Sequence, residues 1–174
     1  TALCGYILLT RGAFSPATYF LKEYLKVHNI LVAIDSFESA TITSPLIEKT
    51  IELAKAFSSK VRILHVAPKL REAPFNIDKK VLRHEVAHEL HDEHELLHQL
   101  ARSLRDQNID ATSLLIEGST IKSILHKSEQ LDIDLIILGC HRHSELFGAI
   151  MNDTGEGLIA KCSLPIMFIP TLEQ

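Results

Sequence analysis

The chain has 174 residues, 46% of them hydrophobic and 23% charged, with a formal net charge of -4 and an isoelectric point near 6.2. That length fits one domain of about 100–200 residues, and the mild acidity excludes a global drive toward nucleic acid or anionic membranes. No run reaches the ~18 apolar residues of a membrane span, and three cysteines without a CxxC pair (Cys4, Cys140 and Cys162) point to a reducing, cytoplasmic setting rather than a disulfide framework.

The chain opens on Thr1 rather than Met, as a fragment, a processed form or a chain with added residues would. Ala2 to Leu9 is apolar but too short to span a bilayer, and Arg11 follows this run instead of preceding it, unlike a signal peptide. Residues 1–27 are therefore expected to be an N-terminal extension, either disordered or an arm or extra edge element that packs on a partner. The domain proper is expected over 28–170, with a tail at 171–174.

Ile30 to Ile34 is β-branched and apolar and predicts the first strand, ending at Asp35-Ser36. Ser44-Pro45 reads as an N-cap followed by proline in the first helical turn. Leu46, Thr50, Leu53, Ala54 and Phe57 then recur at helical spacing down to Ser58. Lys60 to Val66 predicts a second strand, closed by Pro68, and the segment to Asn76 reads as loop. Asp78 to Asp106 predicts one long helix, with Leu82, Val86, Leu90, Leu97, Leu100 and Leu104 on one stripe. Ile109 to Ile116 predicts a third strand. Gly118-Ser119 opens the next helix, with Ser119 as its N-cap and Ile121, Ile124 and Leu125 as its buried side. Asp134 to Leu138, apolar on both faces, reads as a fourth strand buried in a parallel sheet, with a sharp turn expected at Gly139. A last helix near Ile150 to Lys161 and a strand over Ile166 to Ile169 complete the pattern.

Strands alternating with helices mean crossover units and a parallel sheet. The expected fold is a doubly wound, Rossmann-like three-layer α/β/α sandwich around a five-stranded parallel sheet. Ligands of such folds sit at the carboxyl ends of the strands, so the loop from Gly139 to Thr154 is the first candidate site.

Five segments together carry a resemblance. Val32-Ala33-Ile34-Asp35-Ser36, Ile63-Leu64-His65-Val66, Glu117-Gly118, Asp134 to His141 and Cys162-Ser163-Leu164-Pro165-Ile166 resemble, in order and spacing over residues 28 to 170, the universal stress protein (UspA-like) family. The resemblance implies strand order 3-2-1-4-5 in an adenine nucleotide alpha hydrolase-like sheet, and a homodimer paired through the final strand. It also implies that the Asp35 and Gly139 loops face each other across one crevice. Members that bind ATP carry Gly-x2-Gly-x9-Gly-(Ser/Thr) after the fourth strand, where bare glycine backbone approaches phosphate and a hydroxyl bonds it. On this chain those positions fall on Gly139, Arg142, Asn152 and Asp153, and only Gly139 matches. Arg142 puts a long side chain where backbone meets ligand. Asn152 is the mildest change, because Asn tolerates left-handed geometry. Asp153 sets a carboxylate near phosphate, which at ~4 Å costs on the order of 1 to 4 kcal/mol. On the other wall Asp35 corresponds to the carboxylate at the adenine and ribose end, and Val66 to an apolar residue beside the base. Against this stand plainer roles, Asp35 as a turn or cap and Val66 as strand core.

The long helix contains His84-Glu85-Val86-Ala87-His88 and His94-Glu95-Leu96-Leu97-His98, both of the form H-E-x-x-H that holds zinc in metalloproteases. At 100° per residue, however, His84, His88, His91 and His98 fall about 120° to 200° from the apolar stripe. That favours a solvated polar face with adventitious Zn²⁺ or Ni²⁺ binding over a catalytic zinc site. Cys140, beside His141, Arg142 and His143, is a candidate reactive thiol weighed against a partly buried small side chain, and Cys162 reads as packing.

The expectation is a homodimeric regulatory or protective stress protein, without tight ATP binding and at most a weak ATPase, acting through unknown protein partners. The alternatives are an ATP- or nucleotide-binding signalling module in the Asp35/Gly139 crevice and, more remotely, a zinc-dependent hydrolase on the histidine helix.

Overall fold

Each predicted element forms, and the causes are local. The computed structural model describes residues 7–8, 26–34, 41–67, 79–141 and 153–171. Strand β1 is Ile7–Leu8 and β2 is Asn29–Ile34. Helix α1, Pro45–Phe57, starts where the Ser44 hydroxyl accepts a hydrogen bond from the Ile47 amide and proline occupies the first turn. It stops at Ser58, whose left-handed backbone (φ 58) turns its N–H back to the Ala54 carbonyl. Strand β3 is Lys60–Ala67, and α2 is the long helix Lys79–Arg105. Strand β4, Ala111–Glu117, passes into α3, Thr120–Gln130, through Gly118. The φ of 154 at Gly118 is one that a side chain disfavours. Strand β5 is Leu135–His141, α4 is Asp153–Ile159 and β6 is Ile166–Thr171.

The sheet runs β1-β6-β5-β2-β3-β4, with all pairs parallel. Leaving β1 aside, its five strands stand in the expected 3-2-1-4-5 order. Ile7 and Leu8 add a sixth strand, paired with Met167 and Phe168 at the edge that β6 would otherwise present.

Period-two alternation of apolar residues divides the core in two. Ile30, Val32 and Ile34 of β2, with Val61 and Ile63 of β3 and Leu135 and Ile137 of β5, face α1 and α2. Leu31, Leu64, Ile136 and Leu138 face α3 and α4, where they meet Ile124 and Leu158. Of the predicted α2 stripe, Leu97, Leu100 and Leu104 are buried and Leu90 is half-buried. The Cys162 thiol lies in the second core, in keeping with its reading as packing.

One expectation is corrected. Gly139 was to turn the chain off the sheet, but β5 continues through Gly139, Cys140 and His141, which pair with Ile169, Pro170 and Thr171. The cause is not in the run itself. The neighbouring strand β6 extends to Thr171 and offers ladder partners, so the backbone groups of 139–141 are satisfied by staying extended.

The amino ends of the central strands are tied by a carboxylate. Asp134 Oδ2 accepts hydrogen bonds from the His28 and Asn29 amides at 2.7 and 2.9 Å. The Asn29 side chain donates in turn to the Asp132 carbonyl at 3.0 Å. This fixes β5 against β2, the two strands between which the chain reverses its direction of progress across the sheet.

Candidate functional site

The reversal of strand order between β2 and β5 opens a crevice at the carboxyl edge of the sheet, the place where doubly wound folds receive ligands. A cavity of about 120 Å³ lies there. Its floor is Ala33 and Ile34 of β2, Leu64 and Val66 of β3, and Leu138 and Gly139 of β5. Its far wall is Thr120 and Ile124 of α3 with Thr154 of α4. Six of the nine lining residues are aliphatic, so the floor suits a flat or apolar group. The two threonine hydroxyls and the Gly139 backbone supply polarity at the rim.

Of the site residues predicted from sequence, Val66 and Gly139 line this cavity together. Asp153 is the first residue of α4, directly before Thr154 on the cavity wall. Asp35, Arg142 and Asn152 lie outside the described residues, although Asp35 follows Ile34 on the cavity floor. Sequence reasoning missed Thr120, and it reached Thr154 only as the end of the candidate loop, with no role assigned. The signal for Thr120 was present, since it follows the N-cap Ser119; that cap makes no side-chain hydrogen bond to the helix.

His65 is the other residue whose role was not foreseen. It is a buried imidazole on β3 with Nδ1 2.9 Å from the Ile34 carbonyl oxygen. A carbonyl only accepts, so Nδ1 carries the proton and donates. Nε2 lies 3.9 Å from Oε2 of Glu93 on α2. The ring therefore links the last residue of β2, which forms the cavity floor, to the long helix behind the sheet.

On α2, His88, His91, His94 and His98 are exposed. His84 falls within the helix, among residues whose side chains are outside the described set, and Cys140 within β5 is likewise outside it. Among the described residues no group of three or more His, Cys, Asp and Glu side chains is placed to hold a metal ion. A catalytic zinc needs three protein ligands around an open position, and the described histidines of this face do not assemble them.

A model of the universal stress protein family matches residues 26–170. The chain belongs to the universal stress protein family. Solved structures agree at the level of fold. The universal stress protein UspA from Lactobacillus plantarum superposes with a TM-score of 0.60 at 17% identity, over 83% of this chain and 97% of that one. The Archaeoglobus fulgidus universal stress protein in complex with dAMP gives 0.50 at 17% identity, over 83% and 99%. A universal stress protein in complex with cAMP gives 0.52 at 11% identity, over 82% and 96%. No curated protein sequence matches the chain. Among the described residues no helix of this family member is long and apolar enough to cross a membrane.

Proposed function

We propose that this universal stress protein is a homodimeric regulatory protein of the stress response that does not hold ATP tightly through the family's phosphate loop. The observation that carries the proposal is Asp153. It opens α4 beside the cavity wall, where the family pattern asks for a hydroxyl. A phosphate brought to that helix start would meet an acidic residue type where ATP-binding members have a hydroxyl, and like charges repel. The glycines expected at 142 and 152 are Arg and Asn, so backbone cannot approach a triphosphate as closely as in ATP-binding members.

A second reading has its own support. Val66 and Gly139, two residues matching the nucleotide-binding pattern, meet on an aliphatic floor, and structurally similar proteins bind dAMP and cAMP. An adenine nucleotide with a smaller phosphate load would avoid most of the conflict at Asp153.

Two measurements decide between them. Small molecules released on denaturing the purified protein are identified by mass spectrometry, and the native protein is titrated with Mg·ATP, AMP and cAMP by calorimetry. The first reading expects no released nucleotide and no heat. A micromolar constant that disappears in Asp35→Ala establishes the second. The triple variant Arg142→Gly/Asn152→Gly/Asp153→Ser restores the family pattern. Relief of the carboxylate repulsion alone, on the order of 1 to 4 kcal/mol, should then raise ATP affinity by about tenfold to a thousandfold. An unchanged affinity in that variant would remove the phosphate-loop argument.

A further inference from the structure

The family fold leaves the histidine face of α2 without a role, and the geometry of one pair on it is specific. His94 and His98, one turn apart, bring their Nε2 atoms to 3.0 Å, with ring centres 4.4 Å apart and planes at 89°. A linear N–H···N bond of that length would hold the ring centres roughly 5 Å apart or more. The pair is thus a bent imidazole–imidazole hydrogen bond between edge-to-face rings, and it holds both Nε2 atoms on the same side of one helical turn, close enough for one cation to replace the shared proton. Imidazole nitrogens lie about 2.0–2.1 Å from a bound late first-row cation, a reach that two Nε2 atoms 3.0 Å apart can meet together, and imidazole suits copper, nickel and zinc alike.

Charge points the same way. From His84 to Ala101 the helix carries five carboxylate residues, Glu85, Glu89, Asp92, Glu93 and Glu95, and no Lys or Arg. Arg102, one turn beyond His98, is the nearest cation on the helix and offsets part of this charge, while Glu95 and Asp92 flank His94. Both imidazoles are exposed, so water completes the coordination and little desolvation opposes binding.

We propose that His94 and His98 form a two-imidazole surface site for a late first-row divalent cation, held most tightly as Cu²⁺. The preference follows the general rise in affinity toward copper across the row. Because the two ligands are held on one helical turn, the bound ion bridges that turn and stabilises the helix.

The test uses the full chain without a purification tag, titrated with Cu²⁺ against a weak competing chelator and followed by electron paramagnetic resonance. One Cu²⁺ per chain is expected, with an axial signal coupled to nitrogen. His94→Ala and His98→Ala should each weaken binding on the order of a hundredfold, since joining two ligands on a rigid support multiplies affinity by about 10²–10⁴. His88→Ala removes a histidine paired instead with Asp92 and should leave binding unchanged. Circular dichroism at saturation should show a raised thermal midpoint in the parent chain and in His88→Ala, and not in the other two. Parent-like copper affinity in His94→Ala and His98→Ala would place the ion elsewhere and overturn the proposal. So would a parent chain that binds copper no more tightly than those single variants.

Discussion

Asp134 and His65 do comparable work at opposite ends of the central strands. Asp134 accepts two backbone amides where β2 begins. Hydrogen bonds to a charged group contribute about 1.5–3 kcal/mol each when buried, and less at this partly exposed position. Asp134→Ala is expected to lower stability by about 2–3 kcal/mol, and Asp134→Asn, whose one oxygen can still accept both amides but without charge, by about half of that. For a chain of this length each kcal/mol moves the melting midpoint roughly 2–4 °C, so calorimetry should separate the two variants. Equal losses would mean that the side chain acts by packing rather than as an acceptor. At the other end, His65→Phe preserves the buried bulk but removes the donor to the Ile34 carbonyl and sets an apolar ring near Glu93. The expected loss is about 1–3 kcal/mol, with faster amide exchange at the carboxyl end of β2. A loss of stability without any change in that exchange would show that His65 does not anchor the cavity floor. Neither role was legible in the sequence. Both depend on atoms brought together across more than 30 residues, and a polar residue inside a strand carries no local sign of its partner.

At the scale of elements, what was legible is what local chemistry decides. Ser44-Pro45 announced the start of α1 because capping and the fixed φ of proline act within one turn. The α2 stripe was legible because burial repeats at the helical period. The length of β5 was not, since residues 139–141 stay extended only because β6 runs alongside them. The candidate site divides in the same way. Val66 was reached through the family resemblance and Gly139 both through it and as the glycine closing an apolar strand, whereas Thr120 and Thr154 enter from two helices whose relative placement is a tertiary fact. Capping gives a direct check. Ser44→Ala removes the acceptor of the Ile47 amide and should cost about 1 kcal/mol, a fall of roughly 2–4 °C in melting midpoint. Ser44→Asp, which keeps an acceptor and adds charge at the helix amino end, should restore it. Failure of Asp to restore stability would mean that the hydroxyl is retained for another contact of this buried side chain.

The whole molecule poses a problem at its β6 edge. The proposed homodimer pairs through this strand, yet Ile7 and Leu8 occupy that edge at Met167 and Phe168. A charged side chain on β6 is a poor probe of the dimer, because Ile166, Met167, Phe168 and Ile169 are all buried between the two helical layers. Charge there would unfold the chain before it separated two copies. What the edge offers a partner is backbone. Among the described residues strand β1 covers two residues of a six-residue strand, so it competes with a second copy for part of the ladder. Each ladder bond is worth about 1 kcal/mol net, which makes the competition worth about 1–2 kcal/mol, or roughly a tenfold change in dimer dissociation constant. A chain shortened to begin at Lys26 should therefore dimerise about tenfold more tightly than the full chain, as read by sedimentation equilibrium across a concentration series. Weaker association on shortening would show that the arm contributes to the interface instead of guarding it. An unchanged constant would place the dimer contact away from β6 altogether, with the outer edge of β4 as the next strand to probe.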